Sequence, residues 1–291
     1  MWRWAWWSLL AAGCSRIEVT PDLSYDDRFD AAKLDVYAPM TGEAGRPAVV
    51  VIHGGSWADG AFGHRDVMAD HAERFADAGY VAFNIEYRLT PHGGEFPHAV
   101  QDCLCALAWV RLHAAEYGVD PERVATYGYS AGGHLASMLG VVGDAPAVAP
   151  DCAAGIPAPA AAVVSGAGPQ DLRLMGDAPP VQAFLGGSPS EVPQAYLDAS
   201  PISYVAPGAP PFLLIDGTDD WFVPIEHART MEAALDAVGT ATRLLAIPGG
   251  GHLINRGPGG DSWDVELAID TPEAWAAVLD FLDRTIGHVR P

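Results

Sequence analysis

Lysine is nearly absent from this chain. Lys33 is the only one in 291 residues, and arginine brings the positive side chains to just 16 against 37 Asp and Glu, a net charge of −21. Such a surface excludes a nucleic-acid partner, whose phosphates demand a basic face. It suits an exported or salt-tolerant protein but identifies no ligand. Cysteine is scarce too, at four residues. No pair of them has metal-ligand spacing, so neither a metal nor another cofactor is expected. There is no internal repeat, and no apolar run is long enough to span a bilayer. Apolar residues nevertheless make up 49% of the chain, which excludes a disordered protein and allows one large α/β domain with a proper core.

The N-terminus reads separately. Arg3 precedes an apolar stretch from Trp4 to Ala12, and Leu10-Ala11-Ala12-Gly13-Cys14 resembles a bacterial lipoprotein box. Residues 1–14 are therefore set apart as a signal and lipobox segment, and 15–291 as a single domain. The expectation is an exported protein, membrane-anchored through lipid on Cys14, or a cytoplasmic one if the segment is no true signal. Cys103 and Cys105 lie two apart on a predicted helix and so point to different sides. In an exported chain Cys152 could reach one of them, but buried free thiols are the expectation.

Strands alternate with helices along the rest of the chain. Ile17–Thr20 and Lys33–Tyr37 alternate like an opening hairpin, and Ala48–Ile52 is a continuous apolar run of the kind a sheet buries on both faces. Further strands are expected at 80–85, 123–127, 161–165, 211–215 and 242–247. Helices are expected at 66–78, 97–117, after Ser130, at 226–238 and at 272–286. Residues 143–159 read as a surface loop, and 166–210 as the one insertion long enough to form a lid. The pattern means a mostly parallel sheet with helices on both faces.

Tyr127-Gly128-Tyr129-Ser130-Ala131-Gly132-Gly133 carries Gly-x-Ser-x-Gly between a predicted strand and a predicted helix. That context makes a nucleophile elbow, with the serine strained at a sharp turn and glycines letting strand and helix approach. A serine hydroxyl needs a base, and in this topology an acid and a histidine follow it, each just after a strand. His252 follows the strand ending at Ile247, behind three glycines. Asp216, Asp219 and Asp220 all follow the strand at 211–215. Asp220 is preferred because the loop must travel to reach the histidine, and Asp219 is the second choice. Donors to a developing oxyanion would be the backbone N–H of Ala131 together with Gly55 and Ser56 of His53-Gly54-Gly55-Ser56. His53 reads as a brace for that loop. Trp57 and Tyr129 are candidate substrate contacts, with core packing an equal reading for Trp57.

These residues resemble a known family. His-Gly-Gly-Ser-Trp, Tyr-Arg-Leu-Thr-Pro, Asp-Pro-Glu-Arg-Val, Gly-Tyr-Ser-Ala-Gly-Gly-His-Leu-Ala and Gly-Thr-Asp-Asp ahead of Val223-Pro224 stand in the order of hormone-sensitive-lipase-like α/β-hydrolases. The likeness covers roughly residues 32–285 and is closest to the bacterial branch with feruloyl and acetylxylan esterase-like enzymes. It implies an α/β-hydrolase fold with an eight-stranded sheet, and Ser130, Asp220 and His252 as a catalytic triad. Ser56 stands where many relatives have a third glycine, and Phe222 where a smaller apolar residue is common. Few residues precede the first strands, which implies an open site. The function implied is hydrolysis of short acyl esters through an acyl-enzyme, on small molecules or on acetyl or feruloyl esters of carbohydrate. Two other readings stand beside it: an arylformamidase with the same triad, and a non-catalytic binding protein on this scaffold.

Overall fold

Alternation decides which face of the sheet each strand residue meets. The computed structural model describes residues 17–40, 44–255 and 265–287. Its main sheet has eight strands: β1 (Ile17–Ser24), β2 (Lys33–Pro39), β3 (Arg46–Ile52), β4 (Val81–Ile85), β5 (Val119–Tyr129), β6 (Val163–Gly166), β7 (Phe212–Gly217) and β8 (Thr242–Ile247). Their spatial order is β1-β2-β4-β3-β5-β6-β7-β8. β1 pairs antiparallel with β2, and β2 with β4; every other pairing in this sheet is parallel. This is the α/β-hydrolase fold.

The helices are α1 (Ala69–Asp77), α2 (His98–Leu112), α3 (Ala131–Val141), α4 (Pro179–Leu185), α5 (Pro193–Asp198), α6 (Glu226–Ala237) and α7 (Pro272–Thr285). Val49 and Val51 of β3 join one core with α1 and α7, while Val50 and Ile52 join the opposite core with α2, α3 and α6. The unbroken apolar run at 48–52 thus serves two helical layers at once. α7 buries Ala274, Ala277, Val278, Phe281 and Leu282, a stripe at helical spacing. It begins where Thr271 Oγ1 accepts from the Ala274 N–H at 3.1 Å, with Pro272 in the first turn. α2 has buried positions all round because the segment at 143–159 covers its outer side; Gln101 donates to the Ala149 carbonyl there.

Three local expectations change. β5 begins at Val119, four residues before the expected strand, because Arg46 pairs with Val119 and the register then shifts before Ala48 meets Val124. That irregularity lets the strand absorb Pro121, which has no N–H for the ladder. The helix expected to reach Tyr117 stops at Leu112, and a tight turn at Ala114–Tyr117 ends on Gly118 with φ 64°. Cys105 and Cys152 are joined by a disulfide, correcting the expectation of free thiols; only Cys103, among the described residues, is a buried free thiol. Cys105 faces the loop and Cys103, two positions before it, does not, as the helical repeat requires. Cys14 lies outside the described residues.

Candidate active site

The strand order reverses around β3, which has β4 on one side and β5 on the other. Loops leaving the carboxyl ends of strands beside such a reversal form a crevice. Ile52 at the end of β3 pairs with Gly128 of β5, so the 53–57 loop and the Ser130 turn emerge side by side.

β5 ends at Tyr129 and α3 starts at Ala131, leaving Ser130 alone in the turn with φ 57° and ψ −121°. That backbone is strained for a residue with a Cβ, by on the order of 1–3 kcal/mol. Its own hydrogen bonds hold it: Ser130 N–H donates to the Gly166 carbonyl at 2.8 Å, and the Ser130 carbonyl accepts from His134 N–H at 3.0 Å. The flanking glycines are obligatory here. A Cβ on Gly128 would lie 2.3 Å from the Gly132 carbonyl oxygen, and one on Gly132 would lie 2.1 Å from that of Ile52.

Ser130 Oγ lies 2.9 Å from His252 Nε2, and His252 Nδ1 lies 2.7 Å from Asp220 Oδ2. With a carboxylate at Nδ1, that nitrogen donates and Nε2 is left to accept the serine proton. The other Asp220 oxygen accepts from the N–H groups of Phe222 and Val223, each at 2.9 Å, so the carboxylate is fixed at both ends. Asp219 points elsewhere: it is exposed, its N–H donates to the Gly250 carbonyl, and its carboxylate accepts from Thr218 Oγ1. Asp216 is buried at the end of β7, where burial, with the charges of Asp220 and Glu226 added, pushes its carboxyl well above the usual range.

At the start of the 53–57 loop, His53 is held by Glu86 and Tyr87, two residues that the sequence alone left without a role. His53 is fully buried, with Nδ1 donating to the Gly54 carbonyl at 2.8 Å and Nε2 2.6 Å from Glu86 Oε1. Tyr87 stacks on that ring at 4.3 Å, and its hydroxyl donates to the carbonyls of His53 and Gly54. Burial raises the Glu86 carboxyl, but hydrogen bonds from His53 and from the N–H groups of Arg65 and Tyr87 outweigh it, and the net pKa is lowered. Arg88 then ties this segment to α2 through Asp102, at 2.8 and 2.7 Å. The available signal was a run of polar residues directly after a buried strand. Its partner 33 residues back was invisible.

Gly55, Ser56 and Trp57 all have positive φ, at 94°, 58° and 56°. A Cβ on Gly55 would lie 2.6 Å from the Phe62 carbonyl oxygen, so glycine is required there, whereas Ser56 fits without a third glycine. Ser56 and Ala131 line the cleft with Ser130; Gly55 is not one of the lining residues. The N–H of Ala131 belongs to the first turn of α3, where no intrahelical acceptor exists.

The cleft is small and opens to solvent, walled by Trp57, Met175, Pro180, Val181 and Phe222 among others. Trp57 is only 3% exposed, packed in the core, and it also lines the cleft. Its indole donates to His134 Nδ1 at 3.2 Å and stacks on Phe184 of α4 at 4.6 Å. His134 Nε2 in turn donates to the Ala199 carbonyl at 2.7 Å, tying the 166–210 insertion to α3. Burial lowers the pKa of His134 to about 4, consistent with the neutral ring those two bonds require. Tyr129 is corrected: it does not line the cleft, and its hydroxyl donates to the His252 carbonyl, supporting the histidine from beneath.

The BD-FAE family model matches residues 34–235. Esterase LipC of Mycobacterium tuberculosis is 32% identical over 215 residues, 71% of this chain and 52% of its own length. The chain spans about half the length of that relative and of LipM from the same organism, at 52% and 49%. Among solved structures, esterase 2 of Thermogutta terrifontis superposes with a TM-score of 0.73 at 27% identity, covering 95% of this chain and 94% of that one. A truncated carbohydrate esterase from gut microbiota shares the fold at a TM-score of 0.81 and 24% identity, over 94% and 98% of the two chains.

Proposed function

The chain belongs to the BD-FAE family, and from that premise we propose that it is a serine carboxylic-ester hydrolase acting on short acyl esters, including acetyl or feruloyl esters of carbohydrate. One observation carries the proposal: Ser130, His252 and Asp220 stand in a hydrogen-bonded row, with the serine on a strained turn at a helix N-terminus. Ser130 Oγ attacks the ester carbonyl while His252 Nε2 takes its proton. Asp220 holds the ring and stabilises its charged form. The negative oxygen that develops accepts from the Ala131 N–H and from the N–H groups of the Gly55-Ser56 loop. His252 then returns the proton to the departing alcohol oxygen, leaving an acyl-serine. Water, deprotonated by the same ring, releases the acid and restores Ser130.

A small cleft walled by Met175, Pro180 and Val181 supports short acyl groups. Ser130→Ala is expected to lower kcat/KM on p-nitrophenyl acetate to background while the melting temperature holds. Paraoxon, which phosphorylates the Thermogutta esterase, is expected to add one diethylphosphoryl mass on the Ser130 peptide. Equal hydrolysis by wild type and variant would sink the nucleophile assignment, and a strong preference for N-formylkynurenine would sink the ester assignment.

Export with lipid on Cys14 is proposed alongside. The Cys105–Cys152 disulfide supports it, since such bonds persist in oxidising compartments. Mass spectrometry of the mature N-terminus tests it: a chain still beginning at Met1 would overturn it.

A further inference from the structure

Among the described residues Trp221 is the most exposed large apolar side chain, at 83%. A lone exposed apolar residue is ordinary. This one stands apart because of where it is held. It follows Asp220 directly, in a turn clamped by two hydrogen bonds from the backbone of Phe222 and Val223 to the Asp220 carboxylate. Its indole meets Phe222 edge-on at 5.8 Å and 71°, and Phe222 meets the His252 ring at 5.1 Å and 66°. The three rings form a series that starts at the imidazole and runs out to solvent. Phe222 lines the cleft, and Trp221 is the next ring outward.

The direction of that series has chemical meaning. In ester cleavage the departing oxygen must lie within reach of the imidazole that protonates it, so the alcohol side of the substrate leaves past the histidine. On this reading the acyl side is left to the rest of the lining, which includes Trp57, Met175 and Val181. Phe222 and Trp221 therefore flank the alcohol, not the acyl group. The face of an indole carries negative charge density, which attracts polarised C–H groups. A pyranose ring presents such C–H groups on one face and keeps its hydroxyls in water at the rim. That suits an indole open to solvent. The net charge of −21 turns away anionic partners, but a neutral sugar meets no such repulsion.

We propose that Trp221, seated beside Phe222, is the platform on which the pyranose ring bearing the scissile ester rests, so that the chain selects its substrate through the alcohol. This rests on the ester-hydrolase reading. The test compares two esters that share an acetyl group: a mono-O-acetylated methyl β-xylopyranoside and ethyl acetate. Trp221→Ala is expected to raise KM for the sugar ester about tenfold with kcat within about twofold, and to leave ethyl acetate unchanged. Trp221→Phe is expected to retain most of the preference. An unchanged KM for the sugar ester, or an equal loss on both esters, would overturn the platform. So would a loss confined to esters presented on neutral phosphatidylcholine vesicles, which would assign the indole to a lipid surface. The two readings fail differently. If wild type cleaves neither ester, the hydrolase proposal falls and the platform with it. If it cleaves both and Trp221→Ala behaves as wild type, the platform alone is lost.

Discussion

Asp220 uses both of its oxygens, one toward His252 and one toward the backbone of its own turn. Asp219, its neighbour in sequence, reaches neither. Asp220→Asn is expected to lower kcat by about 10³–10⁴, because an amide at that place favours the wrong histidine tautomer. Asp219→Asn is expected to stay within about twofold of wild type. Steady-state rates on p-nitrophenyl acetate decide between them, and a large loss in Asp219→Asn would reverse the roles. The sequence supplied the short list through chain order and strand position. Adjacent residues of a turn point in different directions, so only the folded turn makes the final distinction. Tyr129 shows the converse limit. Next to a nucleophile, a tyrosine can face either the cleft or the loop beneath it, and only packing against the His252 loop separates the two.

At the scale of elements, the loop after β3 and the segment after β4 act as one unit. His53 supplies the ring, Glu86 receives it, Tyr87 covers it, and Arg88 fixes the far end to α2. The second device of this kind is the disulfide between α2 and the 143–159 segment, which closes a separation of 47 residues. Chain-entropy reasoning puts such a cross-link at about 4 kcal/mol or less. The double substitution Cys105→Ser with Cys152→Ser is expected to lower the melting temperature by about 5–10 °C. Rates are expected to hold, because no residue of α2 or of that segment lines the cleft. Scanning calorimetry with and without reductant checks this: an unchanged melting temperature would mean the bond carries no stability. Nothing in the spacing of three cysteines distinguishes pairing with residue 103 from pairing with 105. Which side of α2 the loop crosses decides it.

For the whole molecule, two buried histidines weaken the fold as pH falls, while buried Asp216, whose carboxyl is raised, acts in the opposite sense. Burial lowers both His134 and His227 to about 4 from an ordinary 6.5. The unfolded chain therefore takes up these protons first as pH falls. Their share of stability is complete above pH 6.5, declines between 6.5 and 4, and changes no further below, by roughly 3 kcal/mol for each ring. Urea unfolding at pH 7 and pH 4.5 is expected to show a clear loss at the lower value, and His227→Gln to flatten the curve. A midpoint independent of pH across that window would contradict this. In the folded chain His134 gains its proton only near pH 4, and that would remove the acceptor for the Trp57 indole, so the cleft wall is expected to loosen only as pH falls to about 4.

Local rules were enough for the order of strands and helices, the turn at Ser130 and the region of each candidate site residue. Apolar periodicity, glycine at crowded positions and proline at helix starts all act within a few residues, and a chain read in order exposes them. Tertiary structure alone decided which partners meet across long separations: His53 with Glu86, Trp57 with His134 and Phe184, Cys105 with Cys152, and Tyr129 beneath His252. The reason is physical. Those contacts depend on how two layers of helices and an insertion settle on a twisted sheet, and no short-range pattern carries the angle at which they do so.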